Sequence, residues 1–190
     1  KHLPLLERYP LEAYQTNVLG TLTLLNAARR VGVGVFVNIS TDKAANPISV
    51  LGYSKRIAER VTASVGQTAK SGKYMSVRFG NVLGSRGSVL MSFRDQIAKG
   101  GPLTVTHRGV TRYFMTISEA VQLVIQAGAI GSSGEALVLD MGTPISIYDV
   151  AKQLVANSGK PVEIEIVGLR AGEKVHEELF GEGEEDMRPR

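Results

Sequence analysis

PLEAYQTNVLGTLTLLNAARRV, residues 10–31, runs directly into GVGVFVNIS, residues 32–40, and the fold is decided by how these two segments are read. In the first, Leu11, Tyr14, Val18, Leu22, Leu25 and Ala28 recur at helical spacing, with Pro10 at the start and Gly32 just past the end, so the pattern predicts a helix. The second is short, β-branched and almost wholly apolar, which is the composition of a strand buried on both faces of a parallel sheet. The same alternation continues outward. Helices are predicted over Val50–Val65 (capped by Ser49), Ser88–Lys99, Thr116–Ile130 and Ser146–Asn157, and a short amphipathic one over Glu173–Phe180. Apolar strands are predicted over Tyr74–Val82, Leu103–Thr106, Glu135–Met141 and Val162–Val167, and the tail from Gly181 reads as loose. Helices and strands in this order make an α/β architecture with a mainly parallel sheet.

At 190 residues and 43% hydrophobic side chains the chain can bury a core for one domain or a little more. It has no run near the roughly eighteen apolar residues of a membrane span, and no basic-then-apolar leader. The absence of cysteine excludes disulfide and thiol chemistry. A net charge of +4 is scattered singly and in pairs, which suits a phosphate-bearing small ligand better than nucleic acid. The chain starts at Lys1 without methionine, as a piece of a longer protein would.

Chemistry concentrates just past the first strand, in ISTDKAANPISVLGYSKR, residues 39–56. A hydroxyl (Thr41), a carboxylate (Asp42) and an amine (Lys43) follow one another, and Lys55 lies on the next helix. Two readings of the triplet stand: an exposed polar turn, or a proton-transfer site. Its place at the carboxyl end of a buried strand, where parallel sheets bind ligands, favours the second. The pair Gly32 and Gly34 follows a helix and precedes a strand, the wrong order for a dinucleotide loop. Gly80, Gly84 and Gly87 have the right order and the wrong spacing; with Arg86 among them they read as a substrate loop.

STDKAANP, SVLGYSKR, RFGNVLGSRGSVL, GGPLTVTH, TRYFMTISEAVQLV and GLRAGEKVHEELF, in that order and over nearly the whole chain, resemble the UDP-N-acetylglucosamine 4,6-dehydratases. These form the polysaccharide-biosynthesis branch of the extended short-chain dehydrogenase/reductases. The resemblance implies the second half of a Rossmann-like doubly wound sheet with catalytic residues over 1–101, and a small α/β substrate-binding region over 102–190. It also implies a glycine-rich NAD-binding half upstream, without which the isolated chain would be inactive. By resemblance Asp42 is the acid for the C6 hydroxyl, Lys43 the base for the C5 proton and Thr41 a contact to the C4 oxygen. Lys55 would hold the nicotinamide ribose of NAD and Phe79 would line its pocket, while Asn81, Arg86, Ser88, Arg112, Arg170 and Glu173 would surround UDP.

Leu51 stands where most short-chain dehydrogenases carry their catalytic tyrosine. Tyr53 is rotated by about 200° from it and from Lys55 on the helix, so it does not deputise. The implied partner is a UDP-sugar, with a homo-oligomer compatible and nucleic acid not implied. The implied location is the cytoplasm or the cytoplasmic face of a membrane. A UDP-sugar 4-epimerase and a non-catalytic sugar-nucleotide-binding module are the competing readings.

Overall fold

The computed structural model describes residues 2–85 and 87–185. α1 (Leu3–Arg8) and α2 (Pro10–Ala13) lead through a π-helical turn (Tyr14–Leu19) into α3 (Gly20–Val31) and β1 (Val35–Ile39). A single 3-10 turn over Asp42–Ala44 precedes α4 (Val50–Thr68), β2 (Lys73–Arg78), β3 (Asn81–Val82) and α5 (Val89–Ala98). Then come β4 (Leu103–Val105), β5 (Thr111–Arg112), β6 (Phe114–Met115), α6 (Ile117–Ile130), β7 (Ala136–Val138), β8 (Ile145–Ser146), α7 (Ile147–Ser158) and β9 (Ile164–Ile166).

β1, β2 and β7 form a parallel sheet in that order, with Val35 opposite Lys73 and Ile39 opposite Val77. Strand alternation covers both of its faces. Phe36 joins Leu25, Ala28, Val65 and Tyr74 in the core shared with α3 and α4, and stacks on Tyr74 at 5.9 Å. Val35 and Val37 turn the other way toward α6, packing near Gly128, where a Cβ would lie at an ordinary contact distance of 3.5 Å from Val35. A second core is built from α5, β4, β9 and α7, around Phe93, Leu103, Val105, Ile147 and Ala151. The expected caps form: Ser49 accepts from the Gly52 amide at 3.0 Å and Ser146 from Asp149 at 3.2 Å. Thr116 and Glu119 make a reciprocal capping box on α6.

Three sequence expectations change. The strand expected over Tyr74–Val82 breaks after Arg78, because Gly80 passes so close to Tyr113 that a Cβ would sit 2.7 Å from its carbonyl oxygen. The chain thereby changes partners, from β1 and β7 to β6. Glu173–Phe180 is not helical. Arg112 takes the carbonyls of Lys174 and Val175, and the Thr111 amide also donates to Val175, so acceptors that a helix would use internally are already engaged. Finally, the start of the supposedly loose tail is tied down: the Glu184 carboxylate binds the Arg78 guanidinium at 2.6 and 2.9 Å. Residues 186–190 lie outside the described residues.

Candidate active site

Sheet geometry sets the place of the triplet. β1 ends at Ile39, but its pairing with the β2 side continues through the Ser40 amide to Val77 at 2.7 Å and the Asp42 amide to Phe79 at 3.2 Å. Thr41 is thus held extended before the 3-10 turn. α4 packs directly beneath: a Cβ on Gly52 would meet the Lys43 carbonyl at 2.5 Å, so only glycine leaves the turn where it is.

Asp42 is completely buried. Its Oδ1 accepts from the Thr41 hydroxyl at 2.8 Å, the Lys43 amide at 2.9 Å and the Lys43 Nζ at 3.0 Å, while Oδ2 has no partner. Nζ of Lys43 also lies 3.2 Å from Oε1 of Glu177. The triplet is therefore not the exposed turn that its composition allowed.

Two adjoining cavities, of about 430 and 320 Å³, open around it. Lys43, Asn81, Gly87, Val89 and Leu3 line both and mark their junction. The larger holds Thr41, Lys55, Phe79 and Ser88, with an apolar wall that includes Leu51, Leu83 and Phe114. The smaller holds Arg112, Arg170, Glu173 and Glu177. Every sequence-nominated residue among those described lines one cavity or the other except Asp42, which sits behind Thr41 and Lys43. Arg86 lies outside the described residues.

Individual environments refine these roles. Lys55 donates to the Ile39 carbonyl at 2.9 Å, and burial pushes its amine below the ordinary lysine range, with Glu59 opposing in part. Leu51 is buried on the cavity wall, whereas Tyr53 is 56% exposed on the other side of α4. Ser88 keeps a buried hydroxyl without a protein partner, as a ligand contact would. Arg112 is already occupied: its NH groups bind the carbonyls of Thr111, Lys174 and Val175, and the Glu173 carboxylate at 3.2 Å. It clamps residues 173–177 and leaves little donor capacity for a diphosphate, so Arg170, exposed at the cavity edge, is the freer cation.

Sequence reasoning missed two groups. Glu177 was assigned to the Glu173–Phe180 helix, although it belongs to one of the stretches that carried the family resemblance. Arg78, alone in an apolar strand, was a signal for a buried counter-ion. It binds Glu59 at 2.7 and 2.8 Å as well as Glu184, Glu59 accepts from Ser40, and Arg56 contacts both glutamates. Two arginines facing two carboxylates thereby brace the strand end that presents Thr41. Burial opposes the charge on Arg78, but the hydrogen bonds it donates to Glu59 and Glu184 outweigh this and raise its pKa above the usual arginine value.

The described residues include no helix long and apolar enough to cross a membrane. CapD of Staphylococcus aureus, a capsular polysaccharide biosynthesis protein, is 53% identical over 97% of this chain, which spans 31% of that protein. UDP-glucose 4-epimerase of Rickettsia rickettsii is 38% identical, and the chain spans 54% of it. Among solved structures, Pen from Bacillus thuringiensis superimposes with a TM-score of 0.90 at 37% identity, over 95% of this chain and 57% of that one. The dTDP-glucose 4,6-dehydratase DesIV of Streptomyces venezuelae shares the fold at a TM-score of 0.85 and 21% identity, over 96% of this chain and 62% of that one. The chain is thus similar to only part of each, and its fold is the Rossmann-like one of sugar-nucleotide dehydratases and epimerases. With residues 1–189 matching the family model, the chain belongs to the polysaccharide biosynthesis protein family.

Proposed function

We propose that the protein containing this chain is an NAD-dependent 4,6-dehydratase of UDP-N-acetylglucosamine, serving surface polysaccharide or glycan synthesis on the cytoplasmic side. The observation that carries this reading is the ammonium–carboxylate pair of Lys43 and Asp42, 3.0 Å apart where the two cavities meet, beside an inert Leu51. Elimination of water across C5 and C6 needs a base and an acid at adjacent carbons, and an amine beside a carboxylate supplies both. Bound NAD would supply the hydride chemistry that links C4 and C6, with Lys55 and Phe79 among the residues that would hold it.

The residues of the larger cavity fit its nicotinamide end: an apolar wall at Leu51, Phe79 and Phe114, and one amine, Lys55, for the ribose hydroxyls. Arg170, Asn81 and Ser88 are the donors offered to the UDP. Asp42 does not face the cavity, so its proton travels by Thr41, which touches both Asp42 and the cavity. The C4 hydroxyl proton then passes through Thr41 to Asp42 and returns by the same route to the departing C6 hydroxyl. Lys43 takes the C5 proton, which the C4 ketone acidifies.

A 4-epimerase is the second reading, favoured by the 38% identity to the Rickettsia enzyme. Epimerisation uses no acid or base at C5 and C6, which leaves Lys43, the proposed C5 base, without a task. Incubating the full-length protein with UDP-N-acetylglucosamine separates the two by nuclear magnetic resonance of the product. A 4-keto-6-deoxy sugar is expected; UDP-N-acetylgalactosamine as the sole product would overturn the dehydratase reading.

A further inference from the structure

The base just described must lose a proton before it can take one. In the resting site Nζ of Lys43 is bracketed by two carboxylates, Asp42 at 3.0 Å and Glu177 at 3.2 Å. If Asp42 is to carry the C4 hydroxyl proton to the C6 hydroxyl, it is not free to store the lysine proton as well. Glu177 answers that need. Its side chain is only 2% exposed, it borders the cavity that Lys43 shares, and Oε2 has no hydrogen-bond partner. The other charges around it are Arg112, with Nε at 3.8 Å, and through Arg112 the carboxylate of Glu173. Arg112 is committed to three backbone carbonyls and Glu173, so its charge is shared away from Glu177.

We propose that Glu177 is the proton store for Lys43, an inference that rests on the dehydratase reading above. Substrate fills the cavities and excludes water, which disfavours an ion pair against its neutral form. One proton then moves from Nζ of Lys43 to Oε1 of Glu177, leaving an amine and a carboxylic acid. The amine takes the proton from C5 as the C5–C6 double bond forms, and the C6–O bond breaks with the proton from Asp42 to release water. When the hydride returns to C6, Lys43 gives its proton back to C5 and Glu177 restores the ammonium. Each proton is accounted for, and no further reactant is required. Glu177 acts through Lys43 and is therefore a positioning residue that also sets the protonation state of its partner.

The test uses the full-length protein with Glu177→Gln, which preserves shape and removes the capacity to store a proton, and Glu177→Asp, which keeps the acid but draws it back. The expected result for the glutamine variant is a kcat lower by about a hundredfold with KM unchanged. The aspartate variant should lie between it and the wild type. Because oxidation at C4 precedes the blocked step, reduced-nicotinamide absorbance should also accumulate on mixing the glutamine variant with substrate. Calorimetric binding of UDP reports whether each variant is folded. If the glutamine variant is not, the aspartate variant decides, with a kcat about tenfold lower at constant KM in support and an unchanged kcat against. A glutamine variant with wild-type kcat, beside a wild type that dehydrates, overturns this proposal alone. A wild type that only epimerises overturns it together with the reading beneath it.

Discussion

Lys43 is the side chain on which most of the proposed chemistry converges, since it lines both cavities and touches the buried carboxylates of Asp42 and Glu177. Lys43→Ala in the full-length protein should lower kcat by about three orders of magnitude while UDP affinity, measured by calorimetry, stays within a few-fold. Turnover of that variant at the wild-type rate would remove Lys43 as the base. Thr41 and Lys43 could be nominated from sequence because they lie within a few residues of one strand end, and Lys55 because it lies on the helix that follows; both are local features. Burial could not be nominated the same way. That Asp42 sits behind the wall and not on it follows from the turn over residues 42–44 and from the close approach of Gly52. Leu51 and Tyr53 show the opposite case: helical geometry alone put the inert residue toward the site and the phenol away from it.

Among the elements, the segment after Leu179 is anchored by charge. Burial alone would raise the Glu184 pKa, but hydrogen bonds from Arg78, the Gly181 amide and Arg56 bring it down to about 2, from an ordinary 4.5. A depressed carboxylate stabilises the folded state fully above its unfolded pKa and progressively less as pH falls through the folded one. The contribution is therefore present above about 4.5 and disappears on acidification toward 2. Thermal melting followed by circular dichroism across that window should fall more steeply for the wild type than for Glu184→Gln. Equal slopes would mean that the ion pair does not hold the segment. Residues 173–180 teach a related lesson. Their amphipathic pattern matched a helix, yet Arg112 and Thr111 on β5 compete for the same carbonyls and win, because the guanidinium of Arg112 is itself buried and needs partners.

For the whole molecule, the larger cavity has an apolar wall at Leu51, Phe79 and Phe114 and the smaller is lined by the charges of Arg112, Arg170, Glu173 and Glu177; in the proposed function the first takes the nicotinamide and the second the diphosphate. Among the described residues, no glycine-rich turn between a strand and a helix has the spacing that seats a dinucleotide pyrophosphate; Gly84 and Gly87, between β3 and α5, do not match it. Calorimetry on this chain should accordingly detect UDP and find NAD binding at least tenfold weaker than in the full-length protein; equal NAD affinity would locate the whole cofactor site here. What the sequence determined by itself was the α/β alternation, the parallel sheet and the polar triplet at a strand end, because periodicity, caps and a strand's carboxyl terminus are properties of neighbouring residues. What only the tertiary structure decided was which distant charges meet them: Glu177 against Lys43, and Glu184 against Arg78. Those partners are selected by desolvation, since a buried ion must find its counter-charge in space, wherever along the chain that counter-charge happens to lie.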